Sequence, residues 1–403
     1  MPLTGTRVIE WASRMQGPVA GQILGALGAD VIKIEQPGIG DSTRGSVRFF
    51  GVSQVLADGS TAHYEGHNRN KRSITLNLRK PAAREIVYRL VEKSDVFLHN
   101  QRKGVAERMG LDYDTLSRLN PRIIYTQGWG LGPEGPESGV PALDSIAQAR
   151  SGTMLPYAKV DVEPYQRVPG MVDEASAQML AFGTVTALYA REKLGVGQRV
   201  DGSLFGSAIR QIRQLVADYY ITGLEGPQPP RDKMPNPLYN EYRCKDGRWI
   251  ILALYQPDRY WDDFCRVIGM PELRDDARFS DRMKREENCG ELCSILTDLF
   301  ATRTYEEWER LLREGGDFIF GPVKSIKDLA DDPQVIENRY LADFEDPVYG
   351  RIKVPGLPLD FSKTPWAIRR RAPGLGEHTE EILLEILGNS WEQISELKEE
   401  GVI

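Results

Sequence analysis

Long apolar runs and cysteine clusters are both missing from this 403-residue sequence. No apolar run approaches the ~20 residues that a membrane-spanning helix needs. The first residues also lack the basic-then-apolar pattern of a secretory signal. We therefore expect a cytoplasmic protein that has no membrane partner. The four cysteines have no accompanying histidines, so their spacing predicts no metal site: Cys244, Cys265, Cys289 and Cys293.

Histidine and excess positive charge are also scarce. The four histidines form no HExxH motif. His63 and His67 share a helical spacing, but the surrounding glycine, asparagine and serine predict a loop. The formal net charge of −7 argues against nucleic acid as the main partner. An anionic ligand would therefore need a local basic pocket.

Glycine-rich phosphate-binding motifs are absent as well. The turn after the first predicted strand, residues 13–18, reads Ser-Arg-Met-Gln-Gly-Pro and lacks the G-x-G-x-x-G of nicotinamide enzymes. The sequence contains neither a P-loop nor the G-x-S-x-G elbow of serine hydrolases. These absences argue against three large enzyme classes.

Strand-like and helical segments alternate through the first half of the chain. Short runs rich in β-branched residues predict strands at 7–11, 30–35, 95–99, 123–126 and 199–204. Helical periodicity separates them, for example over 82–93 and 112–119. This order predicts an α/β protein whose large domain is doubly wound, mostly parallel and Rossmann-like.

The composition and the predicted secondary structure of the chain change near residue 225. Residues 223–237 are rich in glycine and proline and predict a linker. Asp246-Gly247 between two strand-like runs predicts a hairpin, and Thr304 with Glu307 has the spacing of a capping box. We expect a large domain over 1–224, completed by 326–403, and a smaller α+β domain over 225–325.

Asp173 is the candidate catalytic residue. It follows Gly170 at the start of a long helical segment and stands among small residues. A carboxylate there, favoured by the helix dipole and partly desolvated, would suit covalent catalysis. The alternative is that Asp173 only caps the helix, because aspartate is a preferred N-cap residue.

Eight short motifs, taken in order, resemble those of the class III CoA-transferases, the family of formyl-CoA transferase and carnitine CoA-transferase. Each motif alone is weak, but their order and spacing fit from about residue 3 to 385. The motifs lie at 28–35, 40–45, 70–74, 108–110, 120–125, 173–198, 321–323 and 375–379.

The resemblance implies an enzyme that moves CoA from an acyl-CoA donor to a small carboxylic acid. Asp173 would be the nucleophile and would carry CoA as an aspartyl thioester. The CoA thioester is the substrate, and no metal or tightly bound cofactor is implied. The family also implies an interlocked homodimer, while a heteromer with a paralogue stays open.

The resemblance also assigns further site residues. Asp144, Met15 and Gln16 would lie near the nucleophile, and Met15 replaces a glutamine of the formyl-CoA enzyme, which argues against oxalate and formate as substrates. Residues that match CoA-binding positions, or that add cations for its phosphates, are Arg14, Lys33, Arg72, Leu76, Arg79, Asn100, Arg102, Arg108 and Met109.

Arginines and aromatic residues in segments expected near Asp173 suggest a bulky or aromatic dicarboxylate acceptor such as benzylsuccinate, with succinyl-CoA as donor. They are Arg14, Arg44, Arg48, Arg150, Arg167, Trp11, Phe49, Phe50, Trp129, Tyr157 and Tyr165. Two alternatives stay open. One is an α-methylacyl-CoA racemase, although Ala142 and Leu143 precede Asp144 where that enzyme has a histidine. The other is a non-catalytic scaffold subunit.

Overall fold

The computed structural model describes residues 1–154, 168–224 and 229–403. These residues form two compact units: the first comprises 1–154, 168–224 and 338–403, and the second comprises 229–337. The second unit continues past the expected boundary at 325. Its last strand is followed by a 3₁₀ turn, Ile326–Asp331, and a short helix, Pro333–Glu337.

Six parallel strands form the sheet of the first unit. They are β1 (Arg7–Trp11), β2 (Asp30–Glu35), β3 (Lys71–Thr75), β4 (Val96–His99), β5 (Ile124–Trp129) and β6 (Arg199–Ser203). Their spatial order is β3-β2-β1-β4-β5-β6. This is the doubly wound order, and it confirms the predicted Rossmann-like class. The order reverses between β1 and β4, so ligands are expected at the carboxyl ends of these two strands.

Both faces of this sheet are covered. Val8 packs into one apolar cluster with Leu24 and Leu180, while the next residue, Ile9, packs into a second cluster with Ile86 and Ile382. Successive side chains of a strand point to opposite faces, so helices cover the sheet from two sides. The helices of this unit are Gln16–Ala26, Ala62–Asn68, Pro81–Glu92, Val105–Met109, Tyr113–Leu119, Asp144–Ser151, Met171–Leu194, Leu204–Gln211, Arg213–Thr222, Thr379–Glu385 and Trp391–Glu399.

One local prediction was wrong. His63 and His67 lie in the helix Ala62–Asn68, where a loop was expected. The Thr61 hydroxyl accepts a hydrogen bond from the backbone N–H of Tyr64 at 3.3 Å and caps the helix. Tyr64 is buried, so tertiary packing outweighs the weak helical tendency of the segment.

The chain after residue 337 returns to the first unit. A hairpin of Leu341–Asp346 and Gly350–Pro355 begins this part. The Asn70 side chain then donates to the carbonyl of Ala367 at 2.9 Å and accepts from the N–H of Arg369 at 2.6 Å. These long-range bonds fix the C-terminal segment against the first 70 residues.

The second unit is α+β, as predicted. Tyr239–Arg243, Trp249–Ala253 and Phe320–Val323 form an antiparallel sheet. Gly247 in the predicted hairpin has φ +85°, and Thr304 forms the predicted capping box with Glu307. The helices are Pro257–Val267, Glu272–Asp275, Arg282–Glu287, Cys289–Phe300, Tyr305–Gly315 and Pro333–Glu337. Across the described residues, no helix combines the length and apolar character needed to cross a membrane.

Candidate active site

Asp173 lies in the first turn of the helix Met171–Leu194. The N-cap residue is Gly170 in a left-handed conformation, φ +79°, which a glycine adopts without steric strain. Ser176 and Ala177, on the following turn, are fully buried. These small side chains allow other segments to approach the helix start closely.

Asp144 caps this helix. One oxygen of its carboxylate accepts hydrogen bonds from the N–H of Val172 at 2.8 Å and of Asp173 at 3.2 Å. The other oxygen accepts from the amide of Gln148 at 2.7 Å. Asp144 thus accepts hydrogen bonds from two of the free N–H groups at the helix start, and the Asp173 side chain does not cap them. The Asp173 carboxylate accepts no hydrogen bond from any residue within the described ranges.

The environment of Asp173 favours its neutral form. Burial raises the pKa of Asp173 to about 7, the carboxylates of Asp144 and Glu174 add to the rise, and the Arg14 guanidinium opposes it. A carboxylate with this pKa is more basic than an ordinary aspartate. No hydrogen bond from a described residue lowers its basicity. Such a group suits attack on a carbonyl carbon.

The loop after β1 borders the site. Arg14 has φ +71°, an uncommon conformation for a residue with a side chain. Its N–H donates to Asp41 at 3.2 Å. The amide of Asn100, which follows β4, donates to the carbonyl of Ser13 at 2.9 Å and accepts from its N–H at 3.0 Å. The two loops at the topological switch point are therefore fastened together.

Met15 and Gln16 lie against the helix of Asp173. The Gln16 amide donates to the Ser176 hydroxyl at 2.8 Å and to the carbonyl of Trp129 at 3.1 Å. The Met15 sulfur lies 3.0 Å from the point where a Cβ on Gly170 would stand. The structure thus brings Met15, Gln16 and Asp144 together at the start of this helix.

A buried group of charges under this loop was missed by the sequence reasoning. The Lys33 ammonium lies 2.9 Å from a carboxylate oxygen of both Glu10 and Asp41, and Lys71 lies 2.7 Å from Glu10. All four side chains are buried. Glu10 and Lys33 are register partners on β1 and β2. The sequence did contain a signal for this group, because Glu10 and Lys33 are charged residues within strands that are buried on both faces.

This group corrects the expectation for Lys33. Its side chain is fully buried and its charge is balanced within the protein, so it does not reach a CoA phosphate. Arg72 is corrected for the same reason. It lies 2.6 Å from Asp30 and 2.7 Å from Glu381, and only a small part of it is exposed. Neither cation is available to a ligand.

The remaining residues expected to bind CoA divide by exposure. Leu76 is buried in the core, and Met109 packs against the same core cluster. Arg79, Arg102 and Arg108 are exposed, and none of the three forms an ion pair with a described residue. These three guanidinium groups are available to phosphates.

The structure does not bring all of the residues that were expected to face the substrate together near Asp173. Arg44 pairs with Glu35 at 2.7 Å, and Arg150 pairs with Glu137. Phe49 and Phe50 are exposed; Phe49 lies in a hairpin of Arg48–Phe49 and Val52–Ser53, and Phe50 lies in its turn. Tyr157, Tyr165 and Arg167 lie outside the described residues. In the part of the chain that the structure describes, no three His, Cys, Asp or Glu residues are grouped to hold a metal ion.

Comparison with known proteins decides the family. The sequence model of CoA-transferase family III matches residues 3–379. The chain belongs to CoA-transferase family III. It is therefore an enzyme, a CoA-transferase of class III, and this confirms the resemblance found in the sequence motifs. Enzymes of this class use CoA thioesters as substrates.

Curated relatives match the full length of the chain. Succinyl-CoA:glutarate CoA-transferase of Mus musculus is 33% identical over 100% of this chain and 90% of its own. The succinyl-CoA–L-malate CoA-transferase beta subunit of Chloroflexus aurantiacus is 32% identical over 100% of this chain and 98% of its own. A CaiB/BaiF family protein from Brucella suis shares the fold, with 29% identity and a TM-score of 0.83, over 96% of this chain and 99% of its own.

Proposed function

We propose that this CoA-transferase works through a covalent aspartyl-CoA thioester on Asp173. The observation that supports the proposal is the position of this carboxylate and its lack of hydrogen bonds. It is half-buried at a helix start, it accepts no hydrogen bond from a described residue, and Asp144 performs the capping role in its place. A nucleophile needs an oxygen that is free to form a bond.

The reaction begins when an Asp173 oxygen attacks the thioester carbonyl of the donor. The carbon–sulfur bond breaks, leaving a mixed anhydride on Asp173 and a CoA thiolate. The thiolate attacks the Asp173 carboxyl carbon, the anhydride C–O bond breaks, and the donor leaves as a carboxylate. Asp173 then holds CoA as a thioester. The acceptor carboxylate repeats both steps in reverse, so one thioester replaces another without an external reductant or oxidant.

The residues around Asp173 support these steps. Burial raises the energy of the carboxylate before attack, and a dry site would protect the anhydride from hydrolysis. Arg14, whose charge acts on Asp173, can balance the negative charge that passes between carboxylate and thiolate. Arg79, Arg102 and Arg108 are proposed to hold the CoA phosphates.

The proposed donor is succinyl-CoA and the proposed acceptor is a dicarboxylic acid. The names of two relatives, which act on glutarate and L-malate with succinyl-CoA, support this class. A bulky diacid such as benzylsuccinate stays within the proposal. We also propose the interlocked homodimer of the family, while the beta-subunit relative keeps a heteromer as the alternative assembly.

Asp144 argues against the racemase alternative. A racemase needs two groups that exchange protons with the substrate, and here Asp144 accepts two backbone hydrogen bonds and one from Gln148. A carboxylate committed in this way is poorly placed as a proton carrier.

The decisive experiment is to trap the covalent intermediate. We expect incubation with succinyl-CoA alone to increase the intact mass of the enzyme by an acyl or CoA adduct, because the first half-reaction needs no acceptor. Hydroxylamine should remove the adduct, and peptide mapping should place it on Asp173. Glu192→Gln, an exposed carboxylate in the last turn of the same helix, is the matched control and should still form it.

Two outcomes would contradict this proposal. An unmodified enzyme that exchanges the α-proton of its substrate with deuterated water would indicate a racemase. Asp173→Ala activity above a few per cent of wild type would exclude covalent catalysis at this position.

A further inference from the structure

A cavity of about 400 Å³ lies in the first unit beside the helix Gln16–Ala26. Val19 and Ile23 of this helix form one apolar wall. Leu357 and Trp366, from the C-terminal segment, form the opposite wall. The volume is within the range of small-molecule sites, and the apolar lining suits a short carbon chain.

Close contacts hold the walls of this cavity together. A Cβ on Gly356 would lie 2.5 Å from the Trp366 ring, so glycine at this position allows the ring to rest against the backbone. Asn70, whose side chain ties down residues 367–369, also lines the cavity. A preformed wall reduces the entropy lost when a ligand is ordered there.

Arg69 is the one arginine among the described residues that line this cavity. Its side chain is only 9% exposed, and its guanidinium forms no hydrogen bond with a residue of the described chain. The buried Nε atom has no partner. A buried guanidinium without hydrogen bonds is costly, and an anion that entered the cavity would relieve this cost.

The carboxylates near Arg69 do not satisfy it. Glu65 accepts from Arg371 at 2.9 Å, and Asp346 accepts from the N–H groups of Val348 and Tyr349. The charges of Glu65 and Asp346 raise the pKa of Arg69, but the effect of burial is larger and the pKa of Arg69 is lowered. The donors of Arg69 therefore stay available to a ligand.

We propose that this cavity binds a carboxylic acid with a short apolar chain, whose carboxylate pairs with Arg69. Arg69 can hold a carboxylate by two parallel hydrogen bonds, while the chain packs against Ile23 and Trp366. Glu174 lines the cavity too, and its carboxylate would repel an acid carboxylate that lay beside it rather than beside Arg69. The acid is thus oriented with its charge on Arg69.

The cavity adjoins the proposed nucleophile. Met15 lines the cavity, and its sulfur lies 3.0 Å from the point where a Cβ on Gly170, the N-cap of the Asp173 helix, would stand. If the acid is the substrate, which rests on the proposed function, its second carboxylate binds Arg69 while the first reacts at Asp173. If it is a separate effector acid, the same contacts hold it without taking part in the reaction.

The test compares glutarate with pentanoate, which has the same chain length and one carboxylate fewer. Calorimetry on the full chain without CoA should show glutarate binding to the wild type. In Arg69→Leu the glutarate affinity should fall roughly tenfold to a hundredfold, the loss typical of a charged hydrogen bond. Arg118→Leu, an exposed arginine elsewhere in this unit, should bind as the wild type does.

Kinetics then separate the two sources of the acid. A rise in KM for glutarate in Arg69→Leu, with pentanoate kinetics unchanged, identifies the substrate. A loss of affinity with both sets of kinetics unchanged identifies an effector. Ile23→Trp fills the cavity from the other wall and should weaken glutarate binding as well. This second variant still tests the proposal if Arg69→Leu does not fold.

Two results would overturn the cavity proposal. One is wild-type glutarate affinity in both Arg69→Leu and Ile23→Trp. The other is no glutarate binding by the wild type at millimolar concentration. Neither result bears on the covalent mechanism, because Asp173→Ala should bind glutarate normally while being inactive.

Discussion

Replacing Asp173 by asparagine should stabilise the protein while abolishing activity. The side chain keeps its shape but can no longer ionise. In the folded protein, burial and the Asp144 carboxylate raise the pKa of Asp173 from 3.8 to about 7. The ionised form is therefore held in the fold at a cost in free energy, and the substitution removes this cost.

The size of the effect follows from the pKa. Between pH 3.8 and about 7, the folded protein keeps a proton that the unfolded chain has lost. Wild-type stability should therefore fall as pH rises through this window and level off above it. A rise from 3.8 to about 7 corresponds to about 4 kcal/mol as a ceiling. Because Asp173 is half-buried and solvent screens it, we expect about half of this, ~2 kcal/mol, at pH 8.

Urea denaturation at fixed protein concentration provides the assay. The difference in unfolding free energy between Asp173→Asn and wild type should grow as the pH rises from 3.8 and should be constant above about pH 7. Asp114→Asn, in the first turn of the helix Tyr113–Leu119, is the matched control and should gain no stability. An Asp173→Asn protein that is about 1 kcal/mol less stable at pH 8 would refute the reasoning and restore the capping role.

Three further predictions concern the neighbourhood of the site. Arg108→Ala should raise KM for the acyl-CoA donor roughly tenfold in steady-state kinetics; an equal rise for the acceptor acid would count against a phosphate contact. Gly21→Ala should destabilise the protein by about 1–3 kcal/mol in thermal or urea unfolding, because the new Cβ would lie 1.9 Å from a carboxylate oxygen of Glu10. Gly66→Ala is the control, because its new Cβ would lie in open space, and it should leave the stability unchanged or higher. Asp41→Ala removes both the acceptor of the Arg14 N–H and the partner of Lys33, and it should lower kcat roughly tenfold or more; unchanged kcat would mean that the loop does not position reacting groups.

The sequence by itself determined the class of the fold and most of its elements. Strand runs such as 7–11 and 30–35, the Asp246-Gly247 turn and the Thr304 capping box are all local patterns. They depend on residues a few positions apart, so periodicity and turn chemistry predict them without a partner segment. The segment 62–68 was misjudged because its helix is stabilised by burial of Tyr64, which its local composition does not reveal.

The candidate site was predictable only in part. Asp173 could be singled out because a glycine and a helical segment flank it along the chain. That Asp144 caps its helix was not predictable from the residues alone, since the two are 29 positions apart and meet only in the folded chain. The sequence left capping and catalysis as alternatives for Asp173, and the structure shows that Asp144 accepts hydrogen bonds at the start of this helix.

Tertiary structure also decided which charged residues are free. Lys33 and Arg72 look like phosphate ligands in the sequence, yet strand register pairs Lys33 with Glu10 and helix packing brings Glu381 to Arg72. Arg69, which no motif marked, is buried in a cavity without a hydrogen-bond partner among the described residues. The physical reason is that availability of a charge depends on its neighbours in space and on solvent, and both are fixed only when distant segments pack together.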